Sequence, residues 1–230
     1  SIEEQGKLTE ELALAIEKAM TATEVEDLYL PYRPKKRTRA TIAKEKGLEP
    51  LAKMMIEQKE ANLEQVAAGF VNEEKGVTDI KSAIIGAQDI LAEEISDDAD
   101  FRGYIRKLTY QKGLIVTKAK DEKAETVFDM YYDYSEKISA IPGHRILAIN
   151  RGENEKALSV KIEAPVDEIL AYLERKIIRK ESATKAYLMP MLEDSYKRLI
   201  APAIERDIRN ELSQKAQDGA IEVFKKNLYQ

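Results

Sequence analysis

The residues with the clearest chemical potential in this chain are a dense group of cations. Residues 33–46 hold seven basic side chains and one carboxylate, a local charge of +6 in a chain whose formal net charge is −5. The seven are Arg33, Lys35, Lys36, Arg37, Arg39, Lys44 and Lys46. Cations at this density favour binding of a polyanion such as the phosphate backbone of a nucleic acid. The alternative for this basic segment, as we call residues 33–46, is a solvated loop whose cations pair with acidic helices nearby.

Two further sets of residues are weaker candidates for the same chemistry. Tyr32 lies directly before the basic segment, where a tyrosine ring can stack on an unpaired base or anchor helix packing. His144 is the single histidine of the chain, and it is able to contact a phosphate when protonated. With Arg145 and Arg151 it forms a secondary group of nucleic-acid-binding candidates, although a structural role at the start of a helix is the expectation for His144.

Composition excludes most catalytic and cofactor chemistry. The chain contains no Cys, so disulfides, iron–sulfur clusters and cysteine-based zinc sites are excluded. One histidine excludes metal sites with two His ligands, and the glycines are too far apart for either nucleotide-binding loop motif. The carboxylates at 93–100 lack the third acidic ligand of a calcium loop. The sequence therefore predicts no enzyme, no catalytic residue, no cofactor and no metal.

The elements that position these residues are predicted to be mainly helices. Gly and Pro are scarce, with 10 and 7 among 230 residues, and charged residues make up 34% of the chain. Helix patterns cover most of the sequence, including a Tyr-rich stretch at 124–140. Thr9, Thr23 and Thr78 are the predicted N-caps of three helices, the third with Ile80 on its buried stripe. The fold class is mainly α, an elongated assembly of helices with one or two short strands near 114–118 and 157–163.

The sequence suggests three segments. They are N-terminal helices with the basic turn (1–60), a central helical part with the short strands (61–164), and C-terminal helices (165–230). The first and third segments are candidates to pack together. In the third, a helix from Pro202 to the end repeats apolar residues about every four positions and would be roughly 40 Å long. The longest uncharged run, residues 65–72, is far too short to cross a membrane.

Four stretches of the sequence carry a resemblance to a known family. They are Tyr29–Ala52, which reads YLPYRPKKRTRATIAKEKGLEPLA, Ile141–Glu153 (IPGHRILAINRGE), Asp194–Glu211 (DSYKRLIAPAIERDIRNE) and Ala220–Gln230 (AIEVFKKNLYQ). In this order, and over nearly the whole chain, they resemble the family of the bacterial transcription accessory protein Tex, which is related to a eukaryotic transcription elongation factor.

The resemblance implies a largely helical transcription protein. The first residues, Ser1–Glu4, do not read as a signal peptide, so we expect a cytoplasmic protein. Members of this family have an N-terminal helical region with helix–turn–helix character, followed by an RNase-H-like domain, helix–hairpin–helix elements and an OB-type RNA-binding domain. This chain would be a fragment of the N-terminal region, without the later domains. The implied nucleic-acid contact therefore depends on the matching cations Arg33, Lys35, Lys36, Arg37 and Arg39.

Two functions remain open from the sequence. The first is a non-enzymatic module that binds the phosphate backbone of RNA or DNA weakly and without sequence preference. The second is a scaffold that positions the C-terminal domains of the same full-length protein or docks on RNA polymerase.

Overall fold

The computed structural model describes residues 1–59, 62–179 and 181–228, and it is mainly α-helical, as predicted. Its α-helices are α1 (Glu10–Lys18), α2 (Ala22–Tyr29), α3 (Arg39–Glu45), α4 (Glu49–Glu57), α5 (Leu63–Ala68), α6 (Ile80–Asp97), α7 (Ala99–Lys112), α8 (Gly143–Asn154), α9 (Val166–Ile177), α10 (Lys185–Asp194) and α11 (Ala201–Leu228). A π-helical turn, Ser195–Ile200, joins α10 to α11.

The chain forms two compact units. The first unit contains Ser1–Gly103 and Asp167–Pro202, and the second contains Tyr104–Val166 and Ala203–Gln230. The division into three segments drawn from the sequence stays a prediction.

The core of the first unit is built around α6. This helix packs against α3, α4, α5, α10 and the π-helical turn. Ile84, Ala87 and Leu91 are buried as the sequence predicts, whereas Ile80 is 38% exposed because it is the first residue of the helix and precedes the packed turns. Gly86 permits the close approach of α3 and the start of α4, since a Cβ at this position would lie 2.3 Å from Leu48 Cδ1.

Side-chain caps determine where the helices begin. Thr9 caps α1 as predicted, accepting a hydrogen bond from the backbone N–H of Leu12 at 3.1 Å. The other two predicted caps are wrong by one or two positions: Thr21 caps α2, and Asp79 caps α6. Both residues have extended backbone conformations that direct the side-chain oxygen at the third helical N–H, which is the geometry an N-cap needs.

The second unit contains a three-stranded antiparallel sheet. The strands are β1 (Leu114–Ala119), β2 (Asp133–Lys137) and β3 (Leu158–Glu163), in the order β2-β1-β3. β1 and β3 are the two predicted strands, and they pair with each other with Leu114 opposite Glu163.

β2 was not predicted and corrects the expectation of a helix over 124–140. This stretch forms a loop, a 3₁₀ turn at Asp129–Tyr131 and then β2. Along β2 the side chains alternate between exposed and half-buried, the period of a strand on a sheet surface. Pairing with β1, together with a 2.6 Å hydrogen bond from Thr117 Oγ1 to the Tyr131 carbonyl, holds the segment in this form.

The long C-terminal helix is confirmed. α11 has 28 residues and is therefore about 42 Å long at 1.5 Å per residue. Its apolar repeat divides into two parts. Ile204, Ile208, Leu212 and Ala216 are buried, whereas the continuation of the repeat after residue 219 is exposed.

Candidate nucleic-acid interface

The backbone of the basic segment begins in a turn between two capped helices. Pro31 lies in a 3₁₀ turn at Leu30–Tyr32, and Arg33 is extended. α3 then starts with a capping box: Thr38 Oγ1 accepts from the Thr41 N–H at 3.1 Å, and Thr41 Oγ1 accepts from the Thr38 N–H at 2.7 Å. The prolines and the reciprocal cap restrict the backbone conformations of residues 31–38, so they limit the directions in which the cationic side chains leave the backbone.

Lys35 faces the protein rather than the solvent. Its ammonium group lies 3.1 Å from Glu93 Oε1 and also forms an ion pair with Asp97, and all three side chains are at most 24% exposed. Burial raises the pKa of Asp97 above its ordinary value, and the hydrogen bond and charge of Lys35 oppose that rise. Lys35 therefore attaches the basic turn to the C-terminal part of α6.

The last two cations of the segment also have partners within the first unit. Lys44 Nζ lies 3.7 Å from Glu94 Oε1 and 3.9 Å from Glu49 Oε1, in exposed ion pairs. Burial raises the pKa of Glu94, and the charge of Lys44 opposes the rise. Lys46 Nζ donates a hydrogen bond to the Gly76 carbonyl at 3.1 Å.

Four cations of the segment, which we call the outer cations, are exposed: Arg33, Lys36, Arg37 and Arg39. Arg33 is 3.3 Å from Glu26 and Arg37 is 3.7 Å from Glu45, and both pairs are well exposed to solvent. Within the described residues, Lys36 and Arg39 form neither an ion pair nor a hydrogen bond. Exposed pairs contribute little energy, so the outer cations retain most of their capacity to bind an external anion.

The remaining candidates occupy different surroundings. Tyr32 is half-buried, and its carbonyl accepts a hydrogen bond from Gln5 Nε2 at 2.9 Å. His144 is exposed in the first turn of α8, in the second unit. Arg151, also on α8, pairs with Glu155 at 2.7 Å and lies 6.0 Å from the centre of the Phe128 ring.

Arg145 belongs to a polar cluster with β2. Its Nη1 donates to Glu136 Oε2 and to the Tyr134 hydroxyl, both at 2.9 Å. The hydrogen bond that Tyr134 donates to Glu136 is the main cause of a lowered pKa for that carboxyl. The Tyr134 ring packs edge to face on buried Tyr131, with 5.3 Å between the ring centres.

Sequence reasoning missed the buried ion pair that fixes the helix before the basic turn. Arg102 Nε donates to Asp27 Oδ1 at 2.8 Å, and both side chains are at most 8% exposed. The two residues are 75 positions apart, so no local pattern relates them. A charged residue at an otherwise buried helix position is the one signal that could have indicated a partner for Asp27.

Metal sites and membrane-spanning helices are two other features that bear on function. Among the described residues, no group of three or more His, Asp or Glu side chains is arranged to hold a metal ion. Of the helices described, none combines the length and apolar character needed to cross a membrane.

Comparison with known proteins places this chain in a family. A family model described as Tex central region-like matches residues 58–224. The chain belongs to the Tex central region-like family. The matched region begins after the basic segment.

Relatives of the family align with nearly all of the chain, including the basic segment. It is 48% identical over 232 residues to the uncharacterized protein YdcI of Bacillus subtilis, covering 99% of this chain and 32% of that protein. It is 37% identical over 238 residues to the transcriptional accessory protein Tex of Neisseria gonorrhoeae, covering 99% of this chain and 31% of the relative. The human S1 RNA-binding domain-containing protein 1 is 33% identical over 246 residues, which cover 100% of this chain and 24% of that protein. The chain thus spans about a third or less of the length of these relatives.

Proposed function

We propose that this chain is a non-enzymatic, nucleic-acid-associated module of a transcription accessory factor, and that it contacts the phosphate backbone through the outer cations. Membership of the Tex family supports the setting in transcription, because one relative is named a transcriptional accessory protein and another an S1 RNA-binding domain-containing protein. The observation that carries the proposal is the exposure of Lys36, on a turn attached to α6 by Lys35, and of Arg39, the first residue of α3. Neither side chain forms an ion pair or a hydrogen bond in the described part of the chain.

The proposed contact is electrostatic and independent of sequence. Arg33, Lys36 and Arg37 are presented from one short turn, so a sugar–phosphate backbone can neutralise them together and release its condensed counterions. The net charge of −5 makes the rest of the chain repel the same ligand, and binding is therefore weak and sensitive to salt. The proposed partners are RNA or DNA, RNA polymerase and the other domains of the full-length protein, in the cytoplasm.

A triple substitution tests the contact. In Arg33→Ala/Lys36→Ala/Arg37→Ala, affinity for a fluorescent 20-nucleotide RNA should fall about tenfold at 50 mM salt. The slope of log affinity against log salt should become shallower by about 2, the value for three lost phosphate contacts on a single strand. Fluorescence anisotropy between 50 and 200 mM salt measures both quantities, with duplex DNA as a second probe.

The matched control is Lys7→Ala/Lys53→Ala/Lys81→Ala. These three lysines are also exposed in the first unit, and their removal changes net charge by the same amount. If the control triple and the test triple reduce affinity and slope equally, the effect is one of net charge and the outer cations are not the contact.

A scaffold is the second candidate, supported by a different observation. Beyond the buried half of α11, four apolar side chains are 52–66% exposed: Ile221, Val223, Phe224 and Leu228. Exposed apolar groups of this size mark protein interaction surfaces. If this surface docks on RNA polymerase, Phe224→Ser/Leu228→Ser should abolish binding to immobilised polymerase, whereas the test triple should leave it unchanged. Equal binding by both variants would contradict docking through α11.

A further inference from the structure

The first unit contains a small cleft that the C-terminal part of the basic segment helps to form. It lies between α3 and α6 and has a volume of about 240 Å³. Its walls are apolar and are formed by Ile42, Ala43, Leu48, Val77, Ile85 and Gly86. Ile85 is 46% exposed although it belongs to the central helix, so one apolar wall of the cleft is open to solvent. Ligand pockets for drug-sized molecules measure about 300–1,000 Å³, so this cleft suits a single ring system.

Cations surround the mouth of the cleft. Arg39 and Lys46 are part of its lining. A third cation, Lys75, lies near the same edge, where two glycines have positive φ: Gly47 at +80° and Gly76 at +74°. A Cβ added to Gly47 would lie 3.6 Å from Lys75 Nζ. A Cβ added to Gly76 would lie 3.7 Å from Lys46 Nζ. Each lysine thus lies over the turn that carries the other, and their positive charges are concentrated at one edge of the apolar walls.

A carboxylate completes the lining. Asp89 is 18% exposed, and its closest cation, Arg198, is 3.9 Å away. The guanidinium of Arg198 is already engaged by Asp194, with distances of 2.6 and 3.0 Å. Asp89 therefore has oxygen atoms available to accept an N–H from a molecule in the cleft. Burial raises the pKa of Asp89, and the positive charges of Arg198 and Arg39 oppose the rise.

We propose that this cleft binds one nucleotide of a single-stranded nucleic acid. The base lies between Ile42 and Ile85 and donates an N–H to Asp89, and the adjoining phosphate is held by Arg39 and Lys46, with Lys75 nearby. The inference rests on the proposed function and deepens it, since Arg39 belongs both to the outer cations and to the cleft.

The three features together select this ligand class. An acyl chain would fill the apolar walls but leave the Asp89 carboxylate facing hydrocarbon, which is unfavourable. An acidic peptide would pair with the cations but bring a second carboxylate towards Asp89. A nucleotide has an apolar face, N–H donors on its edge and a phosphate, which match the walls, Asp89 and the rim respectively.

Two isoleucines on the same helix provide the test. Ile85→Ala should weaken binding of a fluorescent single-stranded 10-mer DNA about tenfold, because the base loses apolar contact with the side chain that is removed. Ile80→Ala is the matched control, because Ile80 is an exposed isoleucine of α6 that does not line the cleft. A 10-mer with the same backbone and no bases should bind both variants equally. Circular dichroism melts confirm that each variant is folded.

Asp89→Ala gives an independent reading of the same site. It should weaken the base-bearing 10-mer several-fold and leave the abasic 10-mer unchanged or slightly tighter, because a negative charge near the phosphate is removed. A merely structural role for Asp89 would weaken both probes together, and that result would overturn its assignment as the acceptor.

The outcomes separate the cleft from the backbone contact. If the triple substitution of Arg33, Lys36 and Arg37 weakens both 10-mers while Ile85→Ala behaves as Ile80→Ala, the proposed function stands and the cleft is refuted. If Ile85→Ala weakens only the base-bearing probe while the triple substitution has no effect, the cleft stands without a contribution from Arg33, Lys36 and Arg37. Tighter binding of free uridine monophosphate than of the 10-mer would overturn the strand as the source of the nucleotide.

Discussion

The two units hold their cations in different ways. In the first unit, Arg102 is buried against Asp27 and Lys35 is held by two carboxylates, while neighbouring Lys36 is exposed and has no partner in the described residues. In the second unit, Arg145 and Arg151 each pair with a carboxylate at or near the surface. Arginine and lysine side chains are therefore buried in ion pairs, paired at the surface or left exposed, depending on burial and on the number of nearby carboxylates.

This difference shows why charge density alone does not identify a binding surface. A cation contributes to binding an external anion only when its own protein has not neutralised it. On the turn at residues 33–39 the cations outnumber the acids within reach, so some positive charge is left over. On α8, Glu155 lies one turn from Arg151 and pairs with it. Glu136 on β2 pairs with Arg145, so both arginines that the sequence indicated are neutralised.

The largest expected effect contrasts a buried arginine with a half-exposed one. Arg102→Ala removes the guanidinium from a buried carboxylate and should lower the free energy of unfolding by about 3–5 kcal/mol. Arg145→Ala breaks a pair that is 38% and 22% exposed, so the free energy of unfolding should stay close to that of the unsubstituted protein. Urea denaturation followed by circular dichroism measures both. Equal losses would mean that burial does not distinguish the two units.

A second prediction contrasts neighbours on the basic turn. Lys35→Met removes charged hydrogen bonds from Glu93 and Asp97 and should cost about 1–3 kcal/mol of stability. Lys36→Met should change stability by less than about 0.5 kcal/mol, because it removes an exposed side chain without a partner among the described residues. The effect on RNA affinity should be the reverse, with the larger direct loss for Lys36→Met when both are measured well below their melting temperatures.

If Lys36→Met instead destabilised the fold as much as Lys35→Met, the exposed position assigned to Lys36 would be wrong. An unchanged affinity for Lys36→Met would remove it from the proposed contact while leaving the anchoring role of Lys35 intact.

The smallest expected effect concerns pH. Burial raises the pKa of Asp97 above 3.8, so the folded state binds that proton more tightly than the unfolded state, and the contribution of Asp97 to stability increases as pH falls through the raised pKa. The hydrogen bond from Tyr134 lowers the pKa of Glu136 below 4.5, so its contribution is present above 4.5 and is lost as pH falls through the lowered pKa. NMR titration of the side-chain carboxyl carbons should therefore find the pKa of Asp97 above its ordinary value and the pKa of Glu136 below its ordinary value. A shift in the opposite direction at either carboxyl would contradict the proposed balance of burial and hydrogen bonding.

Much of the fold could be predicted from the sequence because its helices have local signals. The repeat in α11 and the β-branched run in β1 are readable within a few residues. β2 was not readable in this way. Its residues Asp133–Lys137 are polar and Tyr-containing, and their strand conformation comes from pairing with β1, which a single segment does not reveal.

For the candidate site, the sequence predicted where the cations lie along the chain but not which of them face solvent and which face the protein. Lys35 and Lys36 are adjacent and chemically identical, yet only Lys35 meets Asp97, 62 positions away. The cleft depends likewise on residues from three separate stretches, near 42, 76 and 85. Such contacts are set by tertiary packing, so local patterns cannot assign them.

The outer edge of β3 has a consequence for the behaviour of the protein in concentrated solution. β3 is an edge strand, and an edge strand offers backbone groups to which a strand of another molecule can add. Here the N–H of Ile162 donates to Glu205 Oε1 on α11 at 3.2 Å, so a carboxylate occupies a position that an incoming strand would need. An added strand would have to displace the Glu205 carboxylate, which belongs to the longest helix of the described residues. Glu205 therefore makes aggregation by strand addition at the β3 edge less favourable.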